Sequence, residues 1–331
     1  MGGLQVPGNR LIGRLSPHLA LALATAVAAA GYLLVALPLG FAGLCAGLIL
    51  AGIGSSIQHP RASVLVANSF GSAARGPLGI YNFAGDLGKA IFPATVALLL
   101  PVITWRPTVG IMGLIGLAVA IALSVLVPRQ PFLAPAADKP AARGGPSGGF
   151  GQLLSIGALD TATRMGYLLF LPFLLHSRGA TEAVIGLGLA LLFIGGALGK
   201  AACGWLGQHL GVVWSVIATE LATALLITAT LVLPLTPMLA LLPLLGMFLN
   251  GTSSVLYGTV PDLAPKGDIG REFALFYTGV LGAGGLAPIA YGALADHSSQ
   301  AVGILAAALT AAAIVPLVLA LQPALAALAY R

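Results

Sequence analysis

The stretch PRQPFLAPAADKPAARGGPSGGF, residues 128–150, interrupts a chain that is otherwise almost continuously apolar. It holds five prolines and four glycines, and it offers too little apolar surface to offset the entropy of ordering. Long apolar segments lie on both sides of it. The pattern therefore predicts a solvated linker between an N-terminal half-bundle, residues 1–127, and a C-terminal half-bundle, residues 151–331.

The composition excludes an ordinary soluble domain. Hydrophobic residues make up 58% of the 331 residues and charged residues only 7%, and the mean hydropathy is +1.02. A soluble globular protein carries about 25% charged residues. The apolar runs are long enough to cross about 30 Å of hydrocarbon as helices. We therefore predict an all-α polytopic membrane protein embedded in the lipid bilayer.

Ten membrane-spanning helices are predicted, four before the linker and six after it. Their predicted bounds are 18–38, 40–67, 77–100, 107–127, 151–175, 183–205, 211–233, 237–261, 272–295 and 300–321.

The Lys and Arg residues predict the orientation of these spans. With a cytoplasmic amino terminus, eleven of the 15 fall in cytoplasmic loops and helix ends, and only Arg106 and Arg178 fall on the opposite side. We expect both termini and the linker to be cytoplasmic, in a multi-pass protein of a bacterial inner (plasma) membrane. The formal charge of +6 then reflects the orientation of the spans in the membrane, and no nucleic-acid partner is expected.

The two halves repeat each other at a nearly constant offset. Matching pairs are Arg75-Gly-Pro-Leu-Gly-Ile-Tyr81 with Arg271-Glu-Phe-Ala-Leu-Phe-Tyr277, Pro93 with Pro288, and Gly54-Ser-Ser56 with Thr252-Ser-Ser254. Their offsets place the start of a complete first half before Met1. We therefore expect that two helices of a twelve-helix design are absent, the alternative being a native ten-helix protein.

Three stretches carry a resemblance to a known family: Gly52-Ile-Gly54-Ser-Ser-Ile-Gln-His59-Pro60, the glycine-rich span Tyr81 to Pro93, and Gly292-Ala-Leu-Ala-Asp-His-Ser298. With the two-half design, they make the chain similar to the major facilitator superfamily, and within it to the fosmidomycin-resistance-like efflux group. The resemblance implies a two-half helical bundle whose central cavity is lined by the first and fourth helices of each half. Gln208 and His209 stand where the family's loop signature has Asp-Arg, which weakens a gating role there.

Ionisable side chains inside the predicted spans are candidate binding residues, because each costs roughly 2.5 kcal/mol or more to insert. Asp160, Arg164 and Tyr167 follow spacings of four and seven and therefore share one helical face. The resemblance implies that this span is a cavity helix. The alternative is that Asp160 and Arg164 only neutralise each other.

Two further sets lie in the first half. Asn82, Asp86 and Lys89 repeat the spacing of four and seven, and the alternative there is a self-satisfied Asp–Lys pair in a tightly packed helix. Gln58 and His59 lie near the cytoplasmic end of the second span. His59 has the residue type that titrates near neutral pH, although a kink with a satisfied imidazole explains it equally well.

The C-terminal half adds Asn250, Ser253 and Tyr257, at spacings of three and seven. These three are candidate substrate-binding residues, and the alternative is hydrogen bonding between helices. Glu220 stands alone in the seventh span. The resemblance implies that this span lies at the periphery of the bundle, so Glu220 is interpreted as a protonated or interface-buried side chain and not as part of a site.

No nucleophile elbow, zinc-ligand motif or phosphate-binding loop occurs in the sequence. We therefore predict neither an enzyme nor a cofactor, but a proton-coupled secondary active transporter. Its partners are expected to be protons and a small polar or drug-like molecule, moved outward by antiport through alternating access, with the proton on Asp160 or Asp86. We expect a monomer. The alternatives are a proton-coupled uptake symporter and a truncated bundle that does not transport.

Overall fold

The computed structural model describes residues 15–70, 75–127, 149–263 and 269–329. Many side chains within these ranges, among them those of His59, Asn82 and Asp86, lie outside the description. Residues 128–148 of the predicted linker also lie outside it. The last two residues of that linker, 149–150, already belong to a helix.

All regular structure in these ranges is helical, as predicted. The helices are α1 (Pro17–Ala36), α2 (Gly40–Phe70), α3 (Arg75–Leu99), α4 (Trp105–Leu126), α5 (Gly149–Ser177), α6 (Glu182–Thr230), α7 (Leu235–Leu263), α8 (Ile269–His297) and α9 (Gln300–Ala329).

Helix α6 is two helices joined at a break. Gly211 has φ 75° and ψ 169°, a left-handed conformation that glycine adopts without the steric penalty of a Cβ. The break divides α6 into a first arm, residues 182–210, and a second arm, residues 212–230. The two arms correspond to the predicted spans 183–205 and 211–233, so the described ranges hold ten helical segments, which confirms the prediction.

Eight of the described segments are long and apolar enough to cross a membrane. The two that are not among them are α3, whose described residues include the shorter apolar stretch Leu87–Leu99, and α5. Both are interrupted by ionisable residues in the sequence, which lower the mean hydropathy of any window that contains them. In α5 the polar positions are sheltered, since Asp160, Thr161 and Thr163 are buried. A span with a buried polar face is compatible with a membrane, because its polar groups do not meet lipid.

The described helices fall into two compact units. The first contains α1, α2 and α4, the second contains α5 to α9, and α3 is divided, with its residues Asp86–Ala94 grouped with the second unit. The second unit has two apolar clusters at its core. One includes the fully buried Phe276, and the other includes the fully buried Tyr167 and Met238.

Small residues let helices in each unit approach closely. A Cβ added at Gly31 of α1 would lie 2.4 Å from the Ala51 backbone nitrogen of α2. In the second unit a Cβ at Gly195 of α6 would lie 1.9 Å from the carbonyl oxygen of Pro243 in α7. The hydrophobic effect does not drive helices together in lipid. Close backbone packing at such contacts stabilises the helix pairs instead.

A matching polar link joins helices within each unit. Gln58 Nε2 donates to Thr25 Oγ1 at 3.1 Å in the first unit, and Thr252 Oγ1 donates to Thr219 Oγ1 at 2.9 Å in the second. The partners are 33 residues apart in both links. The sequence offset between Gln58 and Thr252 is shorter, by about one helical turn, than the offset between the motifs Gly54-Ser-Ser56 and Thr252-Ser-Ser254. The two links are therefore not at equivalent positions of the sequence repeat, and the interpretation of the two units as copies of one design stays a prediction.

We expect Gly195→Ala to destabilise the protein, because its new methyl group overlaps the Pro243 carbonyl and forces α6 and α7 apart. Overpacking of this kind costs about 1–3 kcal/mol, which should appear as a clear fall in the thermal unfolding midpoint of the purified protein in detergent. The matched control is Gly282→Ala in α8, where an added Cβ meets nothing within 4 Å. An equal unfolding midpoint for the two variants would contradict the proposed close crossing.

Candidate functional site

Two buried carboxyl groups form the centre of the polar interior of the second unit. Asp160 projects from α5 and is 4% exposed, and Glu220 projects from the second arm of α6 and is 2% exposed. Their side chains are in hydrogen-bonding contact. The two residues are 60 positions apart in the sequence, so only the packing of α5 against α6 brings them together.

A hydrogen bond between two carboxyl groups requires a proton on one of them, because an ionised carboxylate only accepts. Two ionised carboxylates in contact also repel each other strongly away from water. The contact between Asp160 and Glu220 is therefore favourable when the pair holds one proton between its two side chains. Such a pair behaves as one titrating unit, and its proton belongs to both residues.

A hydroxyl group from α7 lies beside Glu220. It belongs to Thr252, whose Oγ1 donates to Thr219 Oγ1 of α6 at 2.9 Å. Thr219 and Thr252 are both buried. The Glu220 carboxyl group thus has one polar neighbour on α5 and another on α7.

Arg164 supplies a positive charge one turn along α5 from Asp160. It attracts both carboxyl groups electrostatically, but its Nη2 donates to Thr161 Oγ1 at 3.2 Å. Its Nε is buried without a hydrogen-bond partner. Among the described residues no ion pair joins Arg164 directly to Asp160. The guanidinium group therefore balances the charge of the site without occupying either carboxyl group.

A narrow recess opens beside Asp160. Besides Asp160 its lining comprises Gly157, Thr161, Ser253, Leu256, Tyr257, Phe276 and Val280. The Tyr257 ring stacks on that of Tyr277 with centroids 5.0 Å apart, and it meets the Phe276 ring edge-on at 5.3 Å. In this conformation the recess is too narrow to hold a free substrate molecule.

The other candidates of the second unit lie near this centre in different roles. Ser253 lines the recess, and its Oγ donates to the Asn250 carbonyl oxygen at 2.8 Å. Asn250 Nδ2 donates to the Gly246 carbonyl oxygen at 3.2 Å, so both polar groups are bonded within α7. Tyr167 is fully buried, and its hydroxyl group lies beside Thr230 but outside hydrogen-bond geometry.

Among the candidates of the first half, the structure describes the side chains of Gln58 and Lys89. Gln58 is half-buried and bonds Thr25 within its own unit. Lys89 is exposed and has an interaction of its own. The side chains of His59, Asn82 and Asp86 lie outside the described residues, and their roles stay predictions.

Glu220 has a neighbour that the sequence interpretation did not indicate. It is buried, as expected, and its side chain interacts with that of Asp160. The signal available in the sequence was the carboxyl group itself, because an ionisable side chain inside a membrane span is a candidate functional residue. Its partner could not be found from spacing, since spacing relates residues on one helix and this contact joins two.

Comparisons with known proteins agree with the helical fold. The sequence profile of the Major Facilitator Superfamily matches residues 153–328, whereas no curated protein matches the chain in sequence. The crystal structure of a POT family transporter in complex with 5-aminolevulinic acid is similar with a TM-score of 0.78 and 14% identity, over 97% of this chain and 85% of that chain.

Two further solved structures are similar. A POT family transporter in complex with a thioalcohol conjugated peptide has a TM-score of 0.76 and 14% identity, over 97% of this chain and 85% of that chain. The E. coli fucose:proton symporter FucP has a TM-score of 0.61 and 15% identity, over 95% of this chain and 86% of that chain. At these identities the likeness shows a shared fold.

We expect Thr252→Val to destabilise the protein, because the substitution keeps the shape of the side chain but removes its hydrogen bond to Thr219 and the polar group beside Glu220. Loss of a bond to a buried polar group costs about 1–3 kcal/mol, measurable as a lower thermal unfolding midpoint in detergent. The control is Thr228→Val, since the exposed Thr228 bonds only the Ala224 carbonyl oxygen of its own helix. If both variants unfold at the parental temperature, Thr252 does not hold the carboxyl pair.

Proposed function

The chain belongs to the Major Facilitator Superfamily, and we propose that it is a proton-coupled secondary active transporter of small polar or drug-like molecules. The observation that carries this proposal is the contact between the Asp160 and Glu220 carboxyl groups inside the second unit. A buried pair of this kind binds one proton and releases it when its surroundings change. Ion coupling is the function that a protonatable group inside a membrane span serves most directly.

The proposed cycle follows from the charges of the site. With one proton on the pair, Asp160 and Glu220 together carry one negative charge, which the Arg164 guanidinium group balances. When alternating access opens the site to water on one side of the membrane, solvation lowers the cost of ionising the second carboxyl group. The proton is then released or taken up according to the pH on that side, and this step couples the gradient to substrate movement.

We propose roles for the other candidates in the same cycle. Tyr257 and Ser253 contact substrate where they line the recess, with Asn250 supporting them from α7 and Tyr167 from α5. On the first half we propose that Asn82, Asp86, Lys89, Gln58 and His59 contribute substrate or proton contacts. The two halves, residues 1–127 and 151–331, rock about the linker to alternate access.

The direction and location of transport are proposed on the resemblance to the fosmidomycin-resistance-like group. We propose export by antiport across a bacterial inner membrane, with both termini in the cytoplasm as the positive-inside bias favours. The second candidate is uptake by symport. It is favoured by the structural likeness to a fucose:proton symporter, although that likeness extends to the fold alone.

The double variant Asp160→Asn with Arg164→Gln tests proton coupling. It removes one negative and one positive charge together, so a protonated Glu220 leaves the site neutral and folding is preserved, whereas a single change would strand a buried charge. A substrate is first found among small molecules that raise the unfolding temperature of the purified protein. We expect its flux in proteoliposomes under an imposed pH gradient to fall below about a tenth of the parental rate, a loss of roughly 1.4 kcal/mol.

The matched control is Asp296→Asn with Arg106→Gln, which removes one exposed charge of each sign and should transport at the parental rate. Both rates are normalised to folded protein in the membrane. Near-parental flux in the Asp160–Arg164 variant returns that pair to a structural role. If the parental protein transports substrate at the same rate after the pH gradient is abolished, proton coupling is contradicted. The sign of the gradient that drives accumulation inside the vesicles separates export from uptake.

A further inference from the structure

The recess beside the carboxyl pair combines one acid with aromatic rings. Asp160, Tyr257 and Phe276 all line it, whereas Arg164 does not. The Tyr257 ring is nearly perpendicular to that of Phe276 and stacks on that of Tyr277, so its orientation is fixed by packing. A ligand that entered an opened form of this recess would therefore meet a carboxyl group and aromatic side chains before it met the guanidinium group.

The charge of the cluster limits which ligands can replace its proton. The titratable side chains that interact with the pair are Arg164 on α5, Cys203 on the first arm of α6, and Tyr257 on α7. Tyr277 on α8 interacts with them through Tyr257. With the thiol and phenol groups neutral, the singly protonated pair and Arg164 sum to zero. Loss of the proton leaves one uncompensated negative charge in a buried site, which is costly.

A ligand with a single positive charge restores neutrality, whereas a neutral or anionic ligand does not. The ring faces indicate the kind of cation. Aromatic faces attract ammonium and quaternary ammonium groups, more strongly when water is excluded. An inorganic cation would need several oxygen ligands instead, and the recess lining offers mostly apolar and aromatic surface around its single carboxyl group.

We propose that the recess lined by Asp160, Tyr257 and Phe276 binds a small organic ammonium cation, which takes the place of the proton held between Asp160 and Glu220. The exchange is one proton for one monovalent cation, and no covalent bond of the ligand is made or broken. The proposal rests on the proposed function and deepens it, because it names the chemical class of the substrate. It also implies that the exchange is electrically neutral, so that the pH gradient and not the membrane potential drives it.

The direct test counts protons on binding to the whole chain in detergent. Choline and benzyltrimethylammonium are titrated in a calorimeter in two buffers of different ionisation enthalpy, and 3,3-dimethylbutanol serves as the uncharged isostere of choline. We expect about one proton released for each cation bound, and at least tenfold weaker binding of the isostere. Saturable cation binding without proton release overturns the proposal, as does equal binding of choline and its isostere.

Two variants assign this result to the site. Glu220→Gln removes the partner that shares the proton, so cation binding should release about none. Tyr257→Leu removes the aromatic face and should weaken cation binding at least tenfold, whereas the control Tyr32→Leu replaces an exposed ring of the first unit and should bind as the parent does. Equal losses in the two tyrosine variants overturn the assignment. If Glu220→Gln does not fold, the number of protons that the parental chain releases on cation binding still tests the proposal.

The failure of this inference is distinguishable from a failure of the proposed function. Methylphosphonate is included as an anionic probe, and tight binding of it with none of the cations bound would favour an Arg164-centred anion site and overturn the cation assignment. A substrate that moves protons in proteoliposomes while both cations fail to bind would do the same and leave proton coupling intact. Flux of every substrate without proton movement would instead contradict the proposed function itself.

Discussion

Every backbone amide that lies in the hydrocarbon of a membrane must find its hydrogen-bond partner within the protein, because lipid supplies none. This constraint accounts for the helical character of the described chain and for the form of its interruptions. The break at Gly211 costs little, since glycine tolerates the positive φ angle there and the two arms of α6 each keep their own hydrogen-bond ladders. Once the backbone is satisfied within helices, the fold depends on how those helices contact each other.

Contacts between the helices rely on small residues and hydroxyl groups. Gly195 and Gly246 bring the first arm of α6 and α7 into backbone contact, and a methyl group at either position would overlap the facing helix. The Thr219–Thr252 and Thr25–Gln58 hydrogen bonds join neighbouring helices at equal spacings in the two units. Close packing of this kind gives a stiff frame, which can hold polar side chains at fixed positions without solvent.

Inside that frame the stability of the polar site depends on two opposing effects, the cost of burying its charged groups and the gain from pairing them. The Asp160 and Glu220 carboxyl groups would each be costly alone in the dry interior, but one shared proton and the charge of Arg164 offset most of that cost. The balance holds for one protonation state only, so a change in solvent access shifts it. The same arrangement that stabilises the folded bundle is the basis of the proton coupling that we propose.

The sequence by itself determined the class of the protein, the ten helical segments and the boundary at Gly211, because hydropathy and glycine placement are properties of the local chain. It also placed Asp160, Arg164 and Tyr167 on one face of α5, since helical spacing fixes that relation. It could not pair Asp160 with Glu220 or Thr252, and it assigned Glu220 to the periphery. Those contacts depend on the rotation of each helix about its axis and on which helices become neighbours. Both are decided by the packing of glycines and side chains from distant parts of the chain, so only the tertiary structure brought the second carboxyl group to the first.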